Sequence, residues 1–132
     1  MPLDSPLRAP LAISLGAIAG ALTRYYITLW SAQTFGIGFP YGTLVVNVAG
    51  CGLMGFFVAL PPQLGYELPP RLRLLLLVGF LGSLTTFSSY ELDTANMLRS
   101  QGLAIALLYW QGSIILGFVS FWLGEKLTHI VR

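Results

Sequence analysis

A chain of 132 residues in which 55% are hydrophobic and 9% charged, with a mean hydropathy of +0.76, lacks the polar surface that a water-soluble core of this size needs. Its seven Lys and Arg and five Asp and Glu leave a formal net charge of +2, too small and too scattered for a nucleic-acid patch, and the one cysteine excludes an intrachain disulfide. These features predict an integral membrane protein, read as a single transmembrane domain over 1–132.

Four apolar runs, residues 11–30, 41–60, 72 to about 97 and 103–123, each come near the roughly 20 residues needed to cross about 30 Å of hydrocarbon. The expected fold is all-α, with four transmembrane helices separated by SAQTFGIGFP, PPQLGYELPPR and the polar RSQG at 99–102. The N-terminal MPLDSPLRAP precedes a run that is long for a signal h-region, and no A-x-A-like site follows, so the run is read as the first helix. No fixed-period repeat and no low-complexity tract interrupts the pattern. Arg8, Arg71, Arg73, Lys126 and Arg132 fall on the side of the termini, against Arg99 and, depending on depth, Arg24 opposite, which favours cytoplasmic termini.

In the first helix, GAIAGALTR puts Gly16, Gly20 and Arg24 at four-residue steps on one face. One reading is a Gly-x-x-x-Gly packing seam with a snorkelling arginine; the other has Arg24 attract an anion at a vestibule or hold a carboxylate. In the second helix, Thr43, Asn47, Gly50 and Met54 lie close to one stripe, with Asn47 deep in the apolar span. Its amide either makes an interhelical hydrogen bond or turns its N–H groups toward a permeating anion. Cys51 is read as a small hydrophobe that lets helices approach.

The third span carries the densest signal, GFLGSLTTFSSY at 79–90. Backbone breaks at membrane depth are tolerated only where protein buries them or where they line a watery path. A continuous helix would bond the hydroxyls of Ser83, Thr85, Thr86, Ser88 and Ser89 back to its own carbonyls. A true break would free carbonyls such as those of Gly82 and Thr85 for a hard monovalent cation. Phe87 and Tyr90, three apart, share a face, as packing or as rings presenting positive edges to a small anion. Glu91 and Asp93 follow, costly to bury unless paired or hydrated. The fourth helix supplies a stripe of Tyr109, Ser113, Gly117 and Ser120, and His129 beyond it is read as a wet interfacial side chain rather than a metal ligand.

Taken together, GAIAGALTRY, GTLVVNVAGC and GFLGSLTTFSSY, in this order and with this span number, resemble the Fluc, or CrcB-type, fluoride channels over almost the whole chain. The resemblance implies an antiparallel, dual-topology homodimer in the cell inner membrane or plasma membrane. It also implies a broken third helix, two fluoride pathways and a structural sodium ion (Na+) at the dimer centre, held by the carbonyls of Gly82 and Thr85 at the breaks. Carried over by motif, Asn47, Phe87, Tyr90, Tyr109 and Ser113 line the anion pore with the hydroxyls of Thr86 and Ser88, and Arg24 stands at the vestibule.

Departures from the family pattern are Ser83 for a second glycine, Tyr90 for a second phenylalanine and Asp93 for a glutamate. The implied partners are fluoride, sodium, membrane lipid and a second copy, with no nucleic acid. Such a pore relieves the trapping of a weak acid's anion, needs neither ATP nor protons, and is no enzyme. The alternative is a small dual-topology, proton-coupled multidrug transporter, which usually needs an acidic residue in the first helix, where this chain has Arg24.

Overall fold

The computed structural model describes residues 6–131. Among these residues, four helical segments are long and apolar enough to cross a membrane, Arg8–Phe35, Tyr41–Gln63, Pro70–Gln101 and Leu103–Leu127, and no strand occurs. The protein is a multi-pass, all-helical membrane protein. The first span is α1 (Arg8–Phe35), the second α2 (Tyr41–Gln63), and the fourth α6 (Leu103–Leu127). The third is composite: α3 (Pro70–Arg73), a π-helical stretch (Leu74–Leu81), α4 (Gly82–Leu84) and α5 (Phe87–Gln101).

Each helix overruns its apolar run, because hydropathy marks the hydrocarbon crossing while backbone hydrogen bonding continues into the interface. Two expected separators are shorter than the sequence suggests. Pro61 and Pro62 lie inside the last turn of α2, where Leu64 N–H still reaches the Leu60 and Pro61 carbonyls at 3.1 Å. Of RSQG, only Gly102 is outside a helix. Its φ of +92°, a left-handed value that a Cβ disfavours, lets α5 turn directly into α6, and its N–H caps the Met97 carbonyl at 3.2 Å. The π-helical stretch LLLLVGFL carries no pattern that separates it from an α-helix.

Two close crossings hold the bundle together. On the first, α1 packs against the π-helical stretch. A Cβ on Gly16 would sit 2.0 Å from the Leu75 carbonyl oxygen, and one on Gly20 2.2 Å from that of Phe80. Gly16 and Gly20 are thus the packing seam of the Gly-x-x-x-Gly reading. On the second, α2 packs against α6, where a Cβ on Gly55 would lie 2.1 Å from the Phe121 oxygen and one on Gly124 2.0 Å from that of Gly52. Cys51 sits on this crossing, its Sγ 3.5 Å from the Cβ position of Gly117. With almost no side chain between them, the backbones gain dispersion contacts that a membrane bundle, without a hydrophobic drive between helices, depends on.

Two apolar clusters flank the third span's interruption. Val46, Leu77, Leu81 and Leu84 pack on one side with Ile27, Met54, Phe57 and Phe80. Tyr90, Met97, Ala106 and Tyr109 pack on the other with Phe39, Leu44 and Trp110. Between them lie Thr85 and Thr86.

Candidate functional site

Thr85 (φ −81°, ψ 153°) and Thr86 (φ −149°, ψ 119°) are extended, between the end of α4 and the start of α5. Side chains take over two of the amide donors that a continuous helix would use. The Thr86 N–H, which would reach the Gly82 carbonyl in a helix, donates instead to Asn47 Oδ1 at 2.7 Å. Asn47 Nδ2 returns a bond to the Thr86 carbonyl at 3.0 Å. Next, the Ser89 N–H, helical partner of the Thr85 carbonyl, donates to Thr86 Oγ1 at 3.1 Å, which makes Thr86 the N-cap of α5. The carbonyls of Gly82 and Thr85 are therefore both released from their α-helical donors.

The hydroxyls do not all follow one pattern. Thr85 Oγ1 bonds back to the Leu81 carbonyl at 3.0 Å, as in a continuous helix. Thr86 Oγ1 donates to Ser89 Oγ at 3.1 Å and lies 3.4 Å from Ser88 Oγ. Gly50 makes room for this turn, since a Cβ there would lie 2.3 Å from Thr85 Cγ2.

The α2 stripe faces the third span throughout. Asn47 meets Thr86, Gly50 meets Thr85, and Thr43 Oγ1 donates to Asp93 Oδ2 at 2.6 Å. Asp93 thus finds the partner that its depth demands. Trp110 Nε1 donates to Glu91 Oε1 at 3.1 Å. The sequence marks both acidic residues and Thr43, but neither pairing. The signal that points to Thr43 is antiparallel register: once Asn47 faces Thr86, one turn back along α2 faces residues farther along α5.

Phe87 and Tyr90 are adjacent, with ring centroids 5.7 Å apart at 47°, yet they stand in different surroundings. Tyr90 is 4% exposed and donates its hydroxyl to the Trp110 carbonyl at 2.6 Å. Phe87 is 75% exposed and projects from the chain, as Gly82 and Ser88 also lie exposed.

On α6 the stripe splits. Ser120 Oγ donates to the Val48 carbonyl across the α2 crossing at 2.8 Å, and Ser113 Oγ bonds back to Tyr109 O at 2.6 Å. Tyr109, 3% exposed, lies against Tyr90 with the rings tilted at 48° and meets Phe39 edge-on, with centroids 5.6 and 5.5 Å away. Its hydroxyl is buried without a hydrogen-bond partner, an arrangement that costs free energy unless something else binds there. Arg24 is half-buried on α1 and takes part in none of these bonds. Among the described residues no group of three or more His, Cys, Asp or Glu side chains is placed to hold a metal.

The family model described as CrcB-like protein, Camphor Resistance (CrcB) matches residues 11–125. A protein of Trichormus variabilis named Fluoride-specific ion channel FluC is 56% identical over 118 residues, covering 89% of this chain and 86% of that protein. Proteins of the same name from Synechococcus sp. and Synechocystis sp. are each 48% identical over 126 residues, covering 96% of both chains in each case. With most of every span and the whole Thr85–Thr86 junction inside the matched region, the chain belongs to the CrcB family.

Proposed function

We propose that this protein is a passive, fluoride-selective channel of the cell inner membrane or plasma membrane, and not an enzyme, working as an antiparallel, dual-topology homodimer with two pores. Its relatives' name, Fluoride-specific ion channel FluC, suggests the ion. The observation that carries the reading is the mid-span junction, where Asn47 and Thr86 draw off two amide donors and leave the Gly82 and Thr85 carbonyls without helical partners. Unwound carbonyls at such breaks are fitting ligands for Na+. Two from each chain about a twofold axis make four, and the ion's role is to tie the two junctions together.

The anion pathway runs past Phe87, Tyr90, Tyr109 and Ser113, with Thr86, Ser88 and the second N–H of Asn47 Nδ2 as further donors and Arg24 at its vestibule. Phe87, exposed on one chain, is walled by the second chain in this arrangement. Ring edges and the Tyr109 hydroxyl stand in for fluoride's water, and a narrow path rejects chloride by size. The potential, negative inside, drives the anion outward with about 2.3 kcal/mol per charge per 100 mV, so no coupling ion is needed. The proton-coupled multidrug transporter is not favoured: α1 carries Arg24 where that mechanism needs an acid, and Asp93 is engaged by Thr43.

Ion-selective-electrode recording from proteoliposomes tests this reading. Fast fluoride efflux without chloride efflux, in the absence of a proton gradient, is expected; folded protein that passes no fluoride refutes it.

A further inference from the structure

At the end of the bundle where α1 and the third span begin, a cavity of about 470 Å³ lies between the two helices. On α1 it is lined by Arg8, Leu11 and Leu15, which fall on one helical face, and on the third span by Arg71, Leu72 and Leu75. The composition is graded. Two arginines, the first charges of their spans, stand at the end of the groove, and leucines run from them along the spans. Leu11, Leu15 and Leu72 are 59%, 60% and 40% exposed, so the apolar wall is open toward the surrounding hydrocarbon. Among the described residues no acidic side chain lines it, whereas the neighbouring cavity beside α2 combines Arg73 with Glu67.

We infer that this groove is a binding site for one anionic phospholipid, its phosphate held by Arg71 and Arg8 and an acyl chain lying along Leu11, Leu15, Leu72 and Leu75. The occupant follows from charge and polarity. A guanidinium pair at the interface matches a phosphate in geometry and sign. Basic residues at the ends of membrane helices attract anionic headgroups. The chain below the headgroup needs a leucine-lined, water-free track, which a free phosphate or a soluble anion would not use. The inference needs the membrane spans but not the identity of the conducted ion.

The test is native mass spectrometry of the full chain in detergent, titrated with phosphatidylglycerol or phosphatidylcholine of the same acyl composition. Because Arg8 makes a further interaction of its own, the charge variant is Arg71→Gln, with Arg99→Gln at the far end of the third span as control. Phosphatidylglycerol should bind more tightly than phosphatidylcholine, Arg71→Gln should weaken it about fivefold, and Arg99→Gln should leave it unchanged. Leu15→Trp, which fills the groove while keeping both arginines, should also weaken it, so the inference stays testable if Arg71→Gln folds poorly. Equal binding of the two lipids, equal loss in both arginine variants, or full competition by acyl-free glycerophosphoglycerol would overturn it.

Discussion

The α2–α6 crossing and the Thr85–Thr86 junction are both rich in small residues, and they solve opposite problems. At the crossing, Gly55 and Gly124 bring two intact helices together, each with a neighbouring carbonyl where a Cβ would go. There the backbone's hydrogen bonds stay within each helix, and absent side chains do the packing. At the junction, side chains supply what the helix gives up: Asn47 pairs both ways with Thr86, and Thr86 caps α5. A membrane interior allows an open backbone only where protein buries it or where it lines a watery path. Two of the amides are met here, by Asn47 and Thr86, and the Gly82 and Thr85 carbonyls lose their helical donors, which separates a place where helices pack from one where the backbone opens.

The contrast can be broken on the packing side first. Gly124→Val drives a side chain into the Gly52 carbonyl, which has no room to give; loss of monodisperse folded protein in size-exclusion chromatography is expected. Gly117→Ala, on the same crossing but facing Cys51 Sγ at 3.5 Å, should fold and conduct like the parent. On the junction side, Asn47→Asp keeps an acceptor for the Thr86 N–H, removes the donor to its carbonyl and adds a negative charge in mid-span. A penalty of about 3 kcal/mol for that charge corresponds to flux lower by on the order of 100-fold, with folding retained. Phe87→Ile removes an exposed ring that packs on little within one chain; fluoride efflux should fall by about tenfold with no change in thermal stability, as about 1.4 kcal/mol of lost ion solvation implies. Least of all, Thr86→Ala deletes the α5 cap and should cost about 1 kcal/mol in a detergent-unfolding titration.

Much of this was legible in the chain itself. Four spans follow from hydropathy, and Gly16 with Gly20 announces a seam because the four-residue step is also the helix repeat. Asn47 stood out as a buried amide needing partners; its partner is the backbone of the interrupted span, so both an interhelical bond and a spare N–H survive. What linear spacing does not carry is register between antiparallel helices. Thr43 meets Asp93 and Trp110 serves both Tyr90 and Glu91 because α2, α5 and α6 slide to one alignment, set by glycine contacts far from these residues. For the same reason, a shared helical face for Phe87 and Tyr90 did not foretell that one ring is buried and the other points outward. Gly102 follows its local signal and ends α5, whereas α2 runs on through Pro61 and Pro62 against theirs.

The most direct measurement is fluoride efflux from vesicles holding equal amounts of the parent, Gly117→Ala and Asn47→Asp proteins, each verified as folded. The account predicts that the first two empty their vesicles rapidly and that Asn47→Asp does not. Parent-like efflux through Asn47→Asp would contradict it, because the junction would then be a structural splice that no ion depends on.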